Sequence, residues 1–401
     1  MPHQPSIEAA LEHALAAHRH SRRRFLGRAG GLALASSGLS TALAACGGVE
    51  GTAQKAKPKG DVSHPKVPLT ELRFSNWPLY IDRKVLKDFE RQSGLEVEYV
   101  EEVNDNTEFF GKVRQQLQSG KPTGRDLVAL TDWMAARWVR NGYLEPFDRR
   151  NTPNVEAHLQ PGLKDPNFDP GRRFTTPWQS GMTGIGYDKR AVGGKLTSME
   201  QLFDPRFKGR VSMLSDARDS SSLVLLMNGV KPEEATIDQV LEAIERIERE
   251  NDKGQIRRFT GNDYTVDLVK GNVVIACAYA ADLIQLREDN PNLDFVIPEE
   301  GAILWSDNLM MPAGLEHPYA AEVWTNHVYD PEVAARLTAT IAGVTPVTGV
   351  QEILAKTDPE LAENPLVFPD DETRKRLYGY PNLAPQDEDE MNRAFEAIIG
   401  A

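Results

Sequence analysis

Five short stretches of this 401-residue sequence set aromatic rings, carboxylates or both just after apolar runs. Asn76-Trp77-Pro78-Leu79-Tyr80 follows Leu72–Ser75, and Thr131-Asp132-Trp133 follows Asp126–Leu130. Ser215-Asp216-Ala217-Arg218-Asp219 follows Val211–Leu214, Tyr279 follows Val273–Ala278, and Trp305-Ser306-Asp307 ends another apolar run. Carboxylates form charge-assisted hydrogen bonds with ammonium groups. An aromatic face adds roughly 0.5–2 kcal/mol for a cation placed over it, and its flat surface suits the methylenes between ammonium groups. This combination fits a flexible organic cation. Taken singly, Trp77, Trp133 and Trp305 read equally well as core, and Asp132 and Asp216 as helix caps. Five coincidences at strand ends favour a site.

Other chemistries have weaker support. The four histidines beyond the N-terminal region, His64, His158, His317 and His327, are not paired at ligand spacing, and no cysteine cluster or calcium loop appears, so no metal is expected. There is no Gly-x-Ser-x-Gly elbow and no phosphate loop, and Gly184-Ile185-Gly186 lacks the later glycine of a dinucleotide fingerprint. No cofactor is expected. The abundant acidic pairs leave a carboxylate-dyad hydrolase open as an alternative.

The elements that must position these residues alternate in type. Leu72–Ser75, Leu95–Val100 and Asp126–Leu130 read as strands. The apolar spacings Val85/Leu86/Phe89 and Phe109/Val113/Leu117, and a segment ending at Gly142, read as the helices between and after them. This order predicts an α/β domain with a largely parallel sheet, whose ligands bind at the carboxyl ends of strands. Gly181–Tyr187 reads as an extended crossing between domains. Thr236 and Gln239 fit a capping box, ahead of a helix with Val240, Leu241, Ile244 and Ile247 on one face. On its other face, Glu242–Arg246 and Glu245–Arg249 have i,i+4 spacing.

A formal charge of −13 argues against nucleic acid as a partner. The first 45 residues are basic, so the remainder is more acidic still. Ser21-Arg22-Arg23-Arg24-Phe25-Leu26, a charge-free stretch from Ala29 to Ala45, and Leu43-Ala44-Ala45-Cys46-Gly47 have the layout of an export signal. The paired arginines resemble a twin-arginine signal, and Leu-Ala-Ala-Cys resembles a lipobox. That resemblance implies residues 1–45 as a signal peptide, lipid on Cys46 and an extracytoplasmic location. Lys- and Pro-rich residues 46–67 read as a flexible tether. Cys277, in an apolar run, reads as a buried small hydrophobe, so no disulfide is expected.

The same site residues carry a resemblance. Asn76-Trp77 with Tyr80, Asp126-Leu127-Val128, Gly181-x-Thr183-x-Ile185-Gly186 and Lys208-Gly209 leading to Asp216-Ala217-Arg218 all contribute. So do Glu300-Gly301 with Trp305-x-Asp307, and Thr345-Pro346. In this order they resemble the spermidine/putrescine-binding proteins of bacterial ABC importers, from about Leu72 to Tyr380. The resemblance implies a two-lobed, hinged periplasmic-binding fold of type II. One lobe would be 68–183 with 306–350, the other 184–305 with 351–401. It implies a binding role and no enzyme activity, with an ABC permease and its cytoplasmic ATPase as partners. Trp77, Tyr80, Trp133, Tyr279 and Trp305 would sandwich the carbon chain. Asp216, Asp219 and Asp307 would take the nitrogens, Thr131 would line the site, and Tyr380 would make a C-terminal contact. Three departures stand out: Pro78-Leu79 occupies the place of an acid, Asp219 is one carbon shorter than the usual Glu, and Tyr279 replaces Trp. Asp132 is the candidate to replace the lost charge. The same fold with another organic cation or amino-acid derivative, and a sensor that signals occupancy, are the competing binding roles.

Overall fold

The structure is a computed structural model that describes residues 62–400. Signal, lipobox and most of the tether lie outside the described residues. The chain divides between residues 59 and 60, and the unit from Gly60 onward carries every described element.

The first third follows the expected alternation: β1 (Glu71–Asn76), α1 (Arg83–Ser93), β2 (Glu96–Glu101), α2 (Asn106–Gln118), β3 (Leu127–Thr131) and α3 (Asp132–Asn141). Local signals set the boundaries. Asp82 caps α1 by accepting from the Lys84 amide, and Gly94 closes it in the left-handed region at φ 72°. Gly142 ends α3 in the same way at φ 70°. Short β4 (Leu144–Glu145) follows, and then the long β5 (Thr175–Asp188).

A second alternating run contains β6 (Val211–Leu214), α4 (Ala217–Met227), α5 (Ile237–Asp252), β7 (Ile256–Thr260), α6 (Tyr264–Val269), β8 (Ile275–Tyr279), α7 (Ala280–Asp289) and β9 (Leu293–Val296). The chain then returns through β10 (Ala302–Pro312), α8 (Pro318–Val328), α9 (Pro331–Ile341) and α10 (Val350–Thr357), and ends with β11 (Leu377–Tyr378) and α11 (Pro385–Ile399).

The sheet runs β2-β1-β3-β10-β5-β8-β6-β7, with β4, β9 and β11 alongside. Its flanks are parallel, β1 with β2 and β3, and β6 with β7 and β8. Its middle is antiparallel, because β5 and β10 pair with each other and β10 pairs with β3 while β5 pairs with β8. The largely parallel expectation therefore describes the flanks only. The Gly181–Tyr187 segment does cross between the two runs, as part of β5.

One apolar core lies under the first run and includes Phe74, Phe109, Trp138, Trp178 and Trp324. It also takes in Val350 and Leu354 of α10, which packs on α9. Residues 350–357 thus pack with the first run. The C-terminal helix α11 packs on α4 and α5.

The capping box at Thr236 and Gln239 is present, and Val240, Ala243, Ile244 and Ile247 are buried. Leu241 is only half-buried, since Ala243 takes the inward position. Glu245–Arg249 forms at 3.7 Å, whereas Arg246 turns from Glu242 to Glu200 at 2.7 Å. The end of the expected tether is also held: His64 donates its amide to Asp148 and places Nδ1 2.6 Å from the buried Glu322 carboxylate. Cys277 is buried and free, and burial pushes its thiol well up.

Candidate functional site

The loops after β1, β3, β6 and β8 converge with the middle of β10 and with Tyr380. The carboxylates reach this point by a repeated device. Asp132, Asp219 and Asp282 each lie in the first turn of a helix that follows a strand, namely α3, α4 and α7. The N-terminal end of a helix favours negative charge there. Asp216 caps α4 by accepting from the Arg218 amide at 2.9 Å.

Asp219 is the centre of one cluster. Thr183 donates its hydroxyl to Oδ1 at 2.7 Å, Tyr380 to the same oxygen at 2.8 Å, and Tyr279 to Oδ2 at 3.1 Å. Trp305 donates Nε1–H to the Thr183 hydroxyl at 2.9 Å and packs edge-on against Tyr279 at 5.3 Å. Burial pushes the Asp219 carboxyl upward, against the pull of these three hydroxyls. Asp216 is pushed up as well, by burial and by the charges of Asp219 and Asp105.

Asp307 is the centre of the other cluster. Thr131 donates to its Oδ1 at 2.8 Å and in turn accepts from Asn106 Nδ2 at 3.0 Å. Burial raises the Asp307 carboxyl to about 7, with the Thr131 and Tyr80 hydroxyls acting in the opposite direction. The fields of both Asp307 and Asp282 reach Tyr80, and that of Asp307 reaches Tyr380, so the two clusters adjoin.

Of the eleven residues singled out in the sequence, Tyr80, Thr131, Asp216, Asp219, Tyr279, Trp305, Asp307 and Tyr380 belong to this connected set. Trp77 is buried on the same loop as Tyr80, where Leu79 takes a left-handed backbone at φ 59°. Trp133 is buried, and the Arg218 guanidinium lies 4.0 Å from its ring centre. Asp132 accepts from Asn308 at 2.6 Å, while Asn308 accepts from Arg172 at 2.7 Å, and the charge of Asp132 reaches Asp307. Burial lifts the Asp132 carboxyl to about 6.

Three contributors were not singled out. Asp282, raised to about 6 by burial, accepts from Tyr264 at 2.6 Å; its position three residues after Tyr279 repeats the Asp216–Asp219 spacing. Thr183 stood inside a quoted motif without a role. Arg218 forms a buried ion pair with Glu388 of α11 at 3.1 Å, and Glu388 also takes Arg140 of α3 at 3.0 Å. Nη1 of Arg218 finds no acceptor among the described residues.

Gly181 explains how Trp305 can lie flat on β5. A Cβ on Gly181 would come within 2.5 Å of the indole. Gly181→Ala therefore displaces Trp305 and costs about 1–3 kcal/mol, measured by denaturant unfolding, with a parallel loss of tryptophan near-UV circular dichroism.

The sequence profile of the bacterial extracellular solute-binding proteins matches residues 84–369. The chain is similar to the spermidine/putrescine-binding periplasmic protein of Escherichia coli (strain K12), 25% identical over 305 residues, which cover 76% of this chain and 84% of the relative. It is similar to the putrescine/cadaverine-binding protein of Pseudomonas aeruginosa, 27% identical over 341 residues, covering 82% and 93%. A solved structure described as a putative spermidine/putrescine ABC transporter from Listeria monocytogenes has the same fold, with a TM-score of 0.72 at 24% identity over 82% of this chain and 98% of that one.

Proposed function

We propose that this chain, which belongs to the family of bacterial extracellular solute-binding proteins, captures a polyamine such as spermidine or putrescine and delivers it to an ABC permease with a cytoplasmic ATPase. The observation that carries this reading is the pair of buried carboxylates, Asp219 and Asp307. Asp219 is oriented by three hydroxyl donors and Asp307 by that of Thr131, aromatic residues adjoin both, and neither has a protein cation in contact among the described residues. Two such sites side by side match the two ends of a diamine. Asp282 supplies the further negative charge that Pro78-Leu79 does not. The similarity to spermidine/putrescine- and putrescine/cadaverine-binding relatives supports the same cargo class.

In this reading the first lobe is 68–183 with 306 to about 362, and the second is 184–305 with the remainder. Two stretches, β5 and β10, form the hinge. The Arg140–Glu388–Arg218 ion pairs then link the lobes. Export by the twin-arginine signal and lipid on Cys46 would hold the protein outside the membrane, with the tether ending where His64 docks on Glu322.

A second cargo class is favoured by one observation. Arg218, whose Nη1 has no acceptor among the described residues, offers a buried donor to a carboxylate, which suits an amino-acid derivative. Calorimetric titration with putrescine, spermidine and spermine, and with arginine, choline and a sugar as controls, tests both. One polyamine binding at a single site with micromolar or tighter affinity supports the proposal. Heat from arginine alone transfers the proposal to the second class, and silence from all six overturns both.

A further inference from the structure

A different constellation lies at the opposite end of β1 from Trp77. Glu71 opens β1, and Glu316 and His317 form the turn that leads into α8. The ligating atoms of these three residues lie within 4.8 Å of one another. Sequence spacing gives no hint of this, because 245 residues separate Glu71 from Glu316 and only the fold joins them.

The imidazole is held from behind by a residue outside the trio. Asp126, buried at 2% exposure, accepts from the His317 amide at 3.0 Å and places Oδ2 3.1 Å from His317 Nδ1. Asp126 is itself fixed by the Arg73 amide at 2.9 Å. A proton on Nδ1, directed at Asp126, leaves the Nε2 lone pair facing Glu71 Oε1 at 3.6 Å. Two electron-rich atoms face to face at that range repel unless a cation, either a proton or a metal ion, stands between them. A carboxylate behind an imidazole is also the outer-shell partner that orients metal-ligating histidines and sets their tautomer. The second oxygen of Glu71 is taken by Arg73 at 3.5 Å, and Oε1 stays on the His317 side. Glu316 is exposed and free to swing in.

The trio lines a cavity of about 200 Å³ together with Val67, Leu69 and Pro318. That space can hold the water molecules that complete a coordination sphere. One imidazole with two carboxylates is a mixed nitrogen and oxygen set, which suits Zn²⁺ and its first-row neighbours better than the all-oxygen cations.

We propose that Glu71, Glu316 and His317 form a binding site for a divalent transition metal ion of the zinc class, with Asp126 as the positioning residue. The site is separate from the cargo site. Five residue steps along β1 separate Glu71 from Asn76, about 17 Å at ~3.3 Å per residue. It is independent of which cargo the cleft takes.

The test is the thermal midpoint of the full chain with and without 100 µM ZnCl₂, repeated for Glu316→Gln and His317→Ala. Melting reports binding to the folded body, so zinc bound by histidines near the N-terminus does not raise it. The expected result is a zinc-dependent rise of about 3 °C or more, lost in His317→Ala and reduced in Glu316→Gln, with putrescine titrations unchanged in both. Glu316 is exposed, so that variant folds even if His317→Ala does not. No rise in the parent chain, or an equal rise in both variants, overturns the site. A rise abolished by putrescine places the zinc in the cleft instead, and also overturns it.

Discussion

Asp307→Asn weakens putrescine binding at least 10-fold and, at pH 8, makes the unliganded protein more stable. Both effects come from one carboxylate. Asparagine keeps an oxygen for the Thr131 hydroxyl, which donates to Asp307 Oδ1 at 2.8 Å, so the local geometry survives. What disappears is the charge, and a charge-assisted hydrogen bond is worth roughly 1.5–3 kcal/mol, a factor of about 10 to 150 in affinity. The same charge is a burden without cargo. Asp307 is buried, has no guanidinium or ammonium in contact among the described residues, and its carboxyl is raised to about 7. At pH 8 the folded protein must ionise a group that the interior disfavours. Removing that charge should raise the unliganded stability by about 1–3 kcal/mol, read as a higher denaturation midpoint. A residue that serves only the fold would show the reverse, with lower stability and unchanged affinity. That outcome would sink the role given to Asp307.

Cargo binding grows stronger as pH rises from 5 to 8, while the unliganded protein grows less stable over the same interval. Asp307 is raised to about 7, and Asp132 and Asp282 to about 6, in each case chiefly by burial. Aspartate in an unfolded chain titrates near 3.9. The folded form therefore keeps protons that the unfolded form has released. The stabilisation from these groups is complete below about pH 4 and is lost as pH climbs through 6 to 7. A cationic ligand reverses the preference, because it binds the ionised carboxylates and expels their protons. Calorimetry at pH 6 in buffers of different ionisation enthalpy should show proton release on binding, and the shift in melting point caused by putrescine should be larger at pH 8 than at pH 5. Binding without proton exchange would mean that the cargo avoids these carboxylates.

The alternation of elements was legible because short-range chemistry sets it. The spacing Val85/Leu86/Phe89, the Asp82 and Thr236 caps and the terminal Gly94 and Gly142 each act within a turn or two of chain. Aromatic and acidic residues at strand ends were legible for a related reason: a strand buried on both faces reads as an apolar run, and the residues just past its end must sit at the rim of the sheet. Where a side chain turns once it reaches the rim is decided by partners far along the chain. Asp132 looked equivalent to Asp307, yet Asn308, 176 residues away, donates to it. Arg246 looked paired with Glu242 until Glu200 supplied a better-placed oxygen. Arg218 spans from Trp133 to Glu388, a relation with no local trace.

By itself, then, the sequence determined the α/β class, the helix and strand limits, and a set of rings and acids suited to an organic cation. These arise from periodicity, capping and residue type, which act over a few residues. Only the tertiary structure decided that Tyr279 and Tyr380 share Asp219 with Thr183, that Asp282 joins them, and that His317 meets Glu71. Those contacts close loops of tens to hundreds of residues, and whether such a loop closes depends on how the whole sheet is ordered, with antiparallel β5 and β10 at its centre.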